Sequence, residues 1–214
     1  MPCTLAFGPA VLEQSLVTEP PPLPLDSDAA LVSASQQGDT EAFGQLYRRY
    51  ARMVHGILLG RVPPAEVEDL VQEVFLRALP RLRELRDTSR FGAWLAAIAR
   101  NIATDHYRRT QTQPESSGDP ADAEEQLAQS GLSGTTEATE ILACIRSLPE
   151  TYRETLILRL VEGMTGPEIA ARTGLMPGSV RVNLHRGMLQ LRQKLTQRAL
   201  RKARQSNNQD DRPI

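Results

Sequence analysis

The chain has 214 residues, 40% of them hydrophobic, and a formal net charge of −1 at pH 7. That length suffices for one medium domain or two small ones with separate cores, and two is our working hypothesis. The near-neutral charge excludes polyanion binding by bulk electrostatics, so a nucleic-acid contact requires local segregation of charge. No apolar run approaches the ~18 residues of a membrane span and the N-terminus lacks a signal-peptide pattern, so we expect a cytoplasmic protein without membrane insertion.

The N-terminal segment of the chain is rich in proline. Residues 1–27 contain six prolines and no basic residue, which predicts a disordered leader because proline interrupts helices and the segment has little to pack. Cys3 and Cys144 are the only cysteines. They predict neither a disulfide framework nor a zinc site, in keeping with a reducing compartment.

Helical periodicity follows this leader. A short helix is predicted over residues 28–37, and Asp39 can cap a longer one whose apolar residues recur every three or four positions. Pro63 and Pro64 predict the start of a third helix, since proline is tolerated in a first turn. A fourth helix is predicted over residues 91–109.

The middle of the chain changes composition. Residues 112–137 are rich in Pro, Gly, Ser and acids, which is typical of a flexible linker, and residues 114–140 hold seven acids and no base. Helices resume over residues 137–147, 149–161, 165–172 and 177–201. Because no alternating strand pattern or internal repeat is present, we predict an all-α fold. Its parts are two small helical domains over residues 28–111 and 138–200, the acidic linker between them, and a basic and polar tail over residues 201–214.

The segment TGPEIAARTGLMPGSVRVNLHRG has the pattern of two helices joined by a tight turn. Thr165 and Glu168 stand in capping-box spacing, in which each side chain accepts a hydrogen bond from an unpaired amide at the helix start. Gly174 then ends that helix, and Pro177 starts the next one. A turn of about four residues that contains glycine is typical of a helix-turn-helix unit, whose second helix can enter the major groove of DNA.

The second of these helices separates an apolar side from a polar one. The polar side carries residue types that reach phosphates and base edges, and an exposed valine there suits a thymine methyl. These residues are Ser179, Arg181, Val182, His185, Arg186 and Gln190. A lone basic helix is more often a solvated face. Here the capping box, the turn and the eight bases without an acid over residues 179–204 together favour DNA contact.

This C-terminal stretch resembles region 4 of bacterial sigma factors of the extracytoplasmic-function type, the domain that reads the minus-thirty-five promoter element. The resemblance extends over LPETYRETLILRLVEGMTGPEIAARTGLMPGSVRVNLHRGMLQLRQKL. The sequence departs from the family at Met176, where a small hydroxylated residue is common, and at Val182 and Asn183, where Ser and a basic residue are common. The resemblance therefore implies that Asn183 belongs to the same DNA-reading set and that these last two positions influence base preference.

The first domain contains a stretch, DLVQEVFLRAL at residues 69–79, that resembles the polymerase-binding helix of sigma region 2. The predicted buried arc of this helix comprises Val67, Leu70, Val71, Val74, Phe75 and Ala78. Its other arc is acidic, which is unsuited to DNA, although three acids on a helix are by themselves usually a solvated face. The resemblance implies contact with core RNA polymerase, at the clamp coiled coil of its largest subunit. The implied contact residues are Asp69, Gln72, Glu73 and Arg77.

A second stretch, FGAWLAAIARNIATDHYRR at residues 91–109, resembles the helix that recognises and melts the minus-ten element. Its predicted buried arc comprises Phe91, Leu95, Ile98, Ala99 and Ile102, and Trp94 at the border is predicted to pack with it. Cations, an amide and an aromatic ring on the other arc suit melted DNA, because cations hold the backbone while unstacked bases find a flat surface. These polar residues are Arg100, Asn101, Thr104, Tyr107 and Arg108. In the preceding loop, the residues implied by position to capture a flipped-out base are Asp87, Thr88 and Ser89.

Together these resemblances imply a promoter-specificity subunit of RNA polymerase, an alternative sigma factor that responds to a stress or signal. It would bind promoter DNA in double-stranded and melted form, need no cofactor or metal, and be held inactive by a separate anti-sigma factor. Promoter elements about 17 base pairs apart are separated by ~55–60 Å, and a linker of about 25 residues spans at most ~80 Å. The acidity of the linker fits either mimicry of RNA in the polymerase or simple solubility.

The sequence features bear on two other classes of function. A stand-alone helix-turn-helix regulator would bind duplex DNA without polymerase, usually at a two-fold symmetric site. An enzyme is disfavoured, because His55, His106 and His185 fall in separate predicted helices with no nucleophile, metal-ligand spacing or phosphate loop beside them.

Overall fold

The computed structural model of the protein describes residues 27–112 and 136–210. Both ranges are helical and contain no β-strand, which confirms the predicted all-α class. The helices are α1 (Asp28–Gln36), α2 (Thr40–Leu59), α3 (Val67–Arg81), α4 (Phe91–Thr112), α5 (Thr136–Arg146), α6 (Glu150–Leu160), α7 (Gly166–Thr173) and α8 (Pro177–Asp210). In these ranges no helix is both long and apolar enough to traverse a bilayer. The predicted leader, most of the predicted linker and residues 211–214 lie outside the described residues.

The first domain is built around α2, which packs against α1, α3 and α4. Asp39 caps α2 as predicted, because its carboxylate accepts a hydrogen bond from the Ala42 amide at 3.0 Å. Further along α2, Met53, Val54 and Ile57 are completely buried at the centre of the domain. This helix therefore sets the positions of the other three.

The arcs predicted to be buried on α3 and α4 are buried in the structure. A turn of 3-10 helix over Pro64–Glu66 precedes α3, so the two prolines lie at the start of the third helical segment as predicted. Trp94 is half-buried against the core, with its ring centroid 5.9 Å from that of Phe91, which confirms its predicted packing role.

The second domain contains the predicted capping box and turn. The Thr165 hydroxyl accepts from the Glu168 amide at 3.4 Å, and the Glu168 carboxylate accepts from the Thr165 amide at 2.7 Å. Gly174 ends α7 with φ of +72°, a left-handed conformation that glycine adopts without steric cost. Helix α8 follows from Pro177, so the helix-turn-helix unit is present.

Two features of the second half differ from the sequence-based expectation. Helix α8 continues to Asp210, past the predicted end at residue 201, since no glycine or proline occurs before Pro213 to stop it. The two domains also pack directly on one another, with α2 against α6 and α4 against α7. The sequence predicted a linker between the domains but no contact between them.

Replacement of Thr165 by alanine is expected to lower the free energy of unfolding by about 1 kcal/mol, because the amide at the start of α7 loses its acceptor. Thr165→Ser keeps the hydroxyl and serves as the matched control. Urea denaturation of the two variants and the unmodified protein measures the difference. Equal stability of the alanine and serine variants would show that the box contributes nothing.

Candidate promoter and polymerase interfaces

The polar side of α8 faces away from the rest of the protein. Ser179, Arg181, Val182, His185 and Arg186 are exposed, and Gln190 is half-buried. The opposite side packs on α6 and α7, with Val180 and Leu191 buried. The apolar residues of α8 thus pack it against the rest of the second domain. Its opposite side, a basic surface without acids, faces outward on the second helix of the helix-turn-helix.

Asn183 does not share this exposure. It retains only 9% of its accessible surface, although the family pattern placed it among the DNA-reading residues. Its position explains the burial, since residue 183 lies three after Val180 and four before Gly187, which are both buried on the packed side of α8. In this structure Asn183 can therefore influence DNA contact only through the placement of α8.

The exposed arc of α3 carries the residues expected to meet polymerase. Asp69 and Gln72 are exposed, whereas Glu73 is half-buried and pairs with Arg77 at 2.5 Å, one helical turn away. Leu76, with 71% of its surface accessible, lies on the same exposed region and was not predicted. An exposed leucine beside acids adds apolar contact area to a surface that the sequence had described only by charge.

The loop before α4 is organised by its own side chains. The Asp87 carboxylate accepts hydrogen bonds from the Ser89 amide at 3.1 Å and hydroxyl at 2.5 Å, which forms the 3-10 turn Thr88–Arg90. From α1, the side-chain Nε2 of Gln36 donates to the backbone carbonyls of Leu82 and Leu85, each at 2.9 Å. The candidate base-capturing loop is therefore restrained by hydrogen bonds of its own side chains and of Gln36 in α1.

On α4, four of the five polar residues assigned to the minus-ten element are exposed. They are Asn101, Thr104, Tyr107 and Arg108. Tyr107 keeps 58% of its surface accessible, so its ring face is available for stacking. The Thr104 hydroxyl donates to the backbone carbonyl of Arg100 at 2.9 Å, which turns it along the helix.

Arg100 is the exception, because its side chain points to the second domain. Its Nε and Nη2 atoms donate to the two carboxylate oxygens of Glu154, at 3.2 and 2.7 Å. Only 29% of the Arg100 side chain and 7% of the Glu154 side chain are accessible. In this conformation the Arg100 guanidinium is bound to a buried carboxylate of α6, so it is not available to contact DNA.

A second basic side chain of the first domain, that of Arg61, also pairs with Glu154. Arg61 Nη2 lies 2.7 Å from Glu154 Oε2 and also 2.7 Å from Oε1 of Glu150. Burial raises the pKa of Glu154, but the hydrogen bonds and charges of Arg100 and Arg61 outweigh it and hold the pKa below its usual value. The carboxylate is therefore ionised, and it connects α6 to α4 and to the segment that follows α2.

A second cross-domain cluster lies at His55 on α2. Its Nδ1 is 2.7 Å from Glu162 Oε1, and its Nε2 is 3.7 Å from Glu68 on α3. Arg52 Nε is 3.5 Å from the other Glu162 oxygen. The hydrogen bond to Glu162 raises the pKa of His55 above 6.5, burial opposes this, and the charges of Glu162 and Glu68 reinforce it.

Sequence reasoning did not identify these cross-domain residues. Glu154 is followed by the buried run Thr155–Leu158, so its burial has a local signal, but nothing in the sequence names a partner 54 residues earlier. Arg61 and His55 likewise carry no motif. Their role depends on how the two domains meet.

Comparison with known proteins identifies two matched segments. Residues 46–113 match the family described as Sigma-70 region 2, and residues 138–191 match Sigma-70, region 4. The chain is 33% identical over 172 residues to the ECF RNA polymerase sigma factor BldN of Streptomyces coelicolor, covering 76% of this chain and 65% of BldN. It is 33% identical over 171 residues to the ECF RNA polymerase sigma-E factor of Escherichia coli K12, covering 75% and 90%. Among solved structures, CnrH in complex with the cytosolic domain of CnrY is similar, with a TM-score of 0.55, 27% identity, and coverage of 80% of this chain and 98% of that one.

The His55 cluster is expected to make the folded state lose stability as the pH rises. A histidine whose pKa is raised by folding contributes its full stabilisation below the unfolded value of 6.5, and this contribution disappears as the pH rises through the higher folded value. His55→Gln keeps a hydrogen-bonding side chain without the titration. Urea denaturation at about pH 6 and about pH 8.5 should show the decline in the unmodified protein and a smaller decline in the variant. An identical decline in both would exclude His55 as its source.

Proposed function

The chain belongs to the ECF family of RNA polymerase sigma factors, and from this membership we propose that it binds core RNA polymerase and directs promoter-specific initiation of transcription. We propose further that it acts as an alternative sigma factor responding to a stress or signal, in the cytoplasm and without catalytic chemistry of its own. The main observation in support of the proposal is the exposed basic side of α8, the second helix of a helix-turn-helix. The opposite, apolar side of this helix packs against the rest of its domain.

For the minus-thirty-five element, we assign the exposed side of α8 to the major groove. Arg181 and Arg186 can reach phosphates or donate a pair of hydrogen bonds to guanine, and Ser179 can reach either kind of group. Val182, which is 43% accessible, supplies an apolar contact suited to a thymine methyl. Phosphate contacts position the helix, and base contacts supply the sequence preference.

For the minus-ten element, we assign the exposed polar residues of α4 and the loop before it. Tyr107 offers a stacking surface for an unstacked base, Arg108 offers charge for the backbone, and Asn101 can form hydrogen bonds with a base edge. The loop of Asp87 and Ser89 is already ordered by its internal hydrogen bonds, so capture of a flipped base would not require the loop to be ordered first.

For core polymerase, we assign the exposed arc of α3. Asp69 and Gln72 are its accessible polar residues, with Glu73 and Arg77 beside them, and Leu76 supplies apolar area. A partner with a basic surface and an apolar recess fits this arc, and the clamp coiled coil of the largest polymerase subunit is our proposed partner. Two weak DNA-binding modules gain affinity once polymerase holds both, because the second contact becomes intramolecular.

We also propose that a separate anti-sigma factor binds this chain. The similar protein CnrH was solved in complex with the cytosolic domain of CnrY, which supports a protein partner for the same fold. A stand-alone helix-turn-helix regulator is the alternative. The match of residues 46–113 to sigma region 2 disfavours it, because that domain has no role in a regulator that acts without polymerase.

Transcription in vitro tests the main proposal. Core polymerase, genomic DNA and the purified protein are expected to yield start sites absent with core alone, each preceded by two shared sequence elements. Mapping of transcript 5′ ends provides the measurement. Specific duplex binding without core, together with no new start sites, would favour the stand-alone regulator instead.

Arg186→Ala is expected to weaken use of the upstream element by a factor of about 10, because one phosphate or base contact is worth ~1–3 kcal/mol. Arg201→Ala removes the same charge from an exposed position of α8 about four turns beyond Arg186, past the last proposed reading residue Gln190, and is the matched control. Transcription from templates with intact and scrambled upstream elements measures the effect. Equal losses for both variants would indicate general electrostatics rather than a positioned contact.

Asp69→Ala combined with Glu73→Ala is expected to weaken binding to core polymerase in the absence of DNA, since the acidic arc of α3 is lost. Glu84→Ala, which removes an exposed acid elsewhere in the first domain, is the control. Fluorescence titration with core polymerase measures the dissociation constant. Unchanged core binding together with impaired upstream-element use would mean that the two faces had been assigned the wrong way round.

A further inference from the structure

The short helix α1 lies beside the loop assigned to base capture, although it precedes residues 46–113, the segment matched to sigma region 2. It packs against the 3-10 turns Leu82–Glu84 and Thr88–Arg90, which lie at either end of that loop. Its sequence, DAALVSASQ, holds one acid and no base, so it offers no cation to a DNA phosphate. Helix α1 is thus better suited to support the loop than to bind DNA itself.

Both ends of α1 are attached to other elements by side chains. At its start, the Asp28 carboxylate accepts hydrogen bonds from Arg49 at 2.8 Å and from the Tyr50 hydroxyl at 2.5 Å, both on α2. At its end, Gln36 stands only four positions before Thr40, the first residue of α2. These attachments hold Gln36 at a fixed place relative to α2.

The side-chain amide of Gln36 spans a change in backbone conformation between α3 and the loop. Residues Leu82–Glu84 form a 3-10 turn, and Leu85 then adopts an extended conformation with φ of −75° and ψ of 100°. Nε2 of Gln36 donates to the carbonyl oxygens of Leu82 and Leu85, each at 2.9 Å, so it binds the backbone on both sides of the change. One primary amide carries two N–H groups and can serve both acceptors at once. These two bonds define the direction in which the chain continues towards Asp87.

Close packing does not hold the turn in place on the side of Gln36. A cavity of about 600 Å³ adjoins it, between the turn that joins α1 to α2 and the end of α3. Gln36, Phe43, Leu79 and Leu82 are among the residues that line this cavity. Without the Gln36 bonds the 3-10 turn would have room to shift, because the described part of the chain leaves this space unfilled.

We propose that Gln36 is a positioning residue for base selection at the minus-ten element. Its amide places the backbone that carries Asp87, Thr88 and Ser89, the residues assigned to a flipped base. The hydrogen bonds within the loop set its local shape, whereas Gln36 sets where that shape stands relative to the exposed polar side of α4. Groups that discriminate between ligands must be held to within ~0.5 Å, which requires support from residues that do not touch the ligand. The inference rests on the proposed function and adds α1 to the part of the chain that reads the minus-ten element.

Three substitutions at residue 36 separate hydrogen-bond donation from side-chain size. Gln36→Ala removes the amide, and Gln36→Glu keeps its shape but replaces both N–H donors by a carboxylate that only accepts. Gln36→Lys restores N–H donors on a side chain long enough to reach the two carbonyls. Gln37→Ala, at the adjacent exposed position, is the matched control.

Base preference is measured with holoenzyme, assembled from core polymerase and each variant, on a mapped promoter whose upstream element is duplex and whose minus-ten segment is single-stranded. Each position of that segment is changed to all four bases, and fluorescence titration gives the dissociation constants. At the position read most strongly, the unmodified protein and Gln37→Ala are expected to prefer one base over the others by about tenfold. Gln36→Ala and Gln36→Glu should reduce this preference to about twofold or less, and Gln36→Lys should recover most of it.

Hydrogen exchange in the free protein measures the restraint on the loop without polymerase. The amides of residues 85–90 are expected to exchange at least about threefold faster in Gln36→Ala and Gln36→Glu than in the unmodified protein, with Gln37→Ala unchanged. Circular dichroism, together with use of the upstream element assigned to α8, checks that the variants remain folded.

Three results would overturn the inference. The first is weaker affinity of Gln36→Ala for all four bases with an unchanged preference, which would indicate a role in stability alone. The second is a preference that stays low in Gln36→Lys, or falls equally in Gln37→Ala, since either result would separate base selection from the donated hydrogen bonds. The third is unchanged exchange over residues 85–90. If the unmodified protein directs no start sites with core polymerase, the proposed function fails, whereas the exchange rates still report whether Gln36 restrains the loop.

Discussion

The carboxylate of Glu154 is buried where the two domains meet. Glu154 is 95% buried, and an ionised carboxylate left unpaired in such a place would cost several kcal/mol. Arg61, two residues after the end of α2, and Arg100, in the middle of α4, satisfy it, and both belong to the other domain. Pairing of this one group therefore places α6 beside α4 and the segment that follows α2, and further hydrogen bonds cross the same interface between the domains.

This constraint affects the two proposed DNA-binding surfaces differently. The polar side of α8 is directed outward because its apolar side packs on α6 and α7, so its exposure does not depend on the first domain. The polar side of α4 borders the interface, and Arg100 is drawn away from the residues that follow it on the same helix. The net charge of the whole chain is small and does not reveal these contacts, in which acids of the second domain pair with bases of the first.

The features predicted correctly from sequence are those with a local cause. Each of these features involves residues only a few positions apart, so the sequence around it is enough to predict it. They are the cap at Asp39, the capping box at Thr165 and Glu168, and the turn at Gly174. The buried arcs of α3 and α4 followed from helical periodicity for the same reason. Two sequence-based expectations were wrong or incomplete. The end of α8 was placed too early, because no glycine or proline marks where the helix stops. Asn183 was grouped with exposed neighbours, although its side chain is buried.

The sequence by itself determined the helices, their apolar sides, the helix-turn-helix and the resemblance that led to the family, because spacing within a helix is a property of the chain. It also placed the polar residues of α4 on one side. Only the tertiary structure decided which of them face solvent. Arg100 and Glu154 are 54 residues apart, and ion pairing at that separation depends on how two separately folded surfaces meet, which no local periodicity encodes.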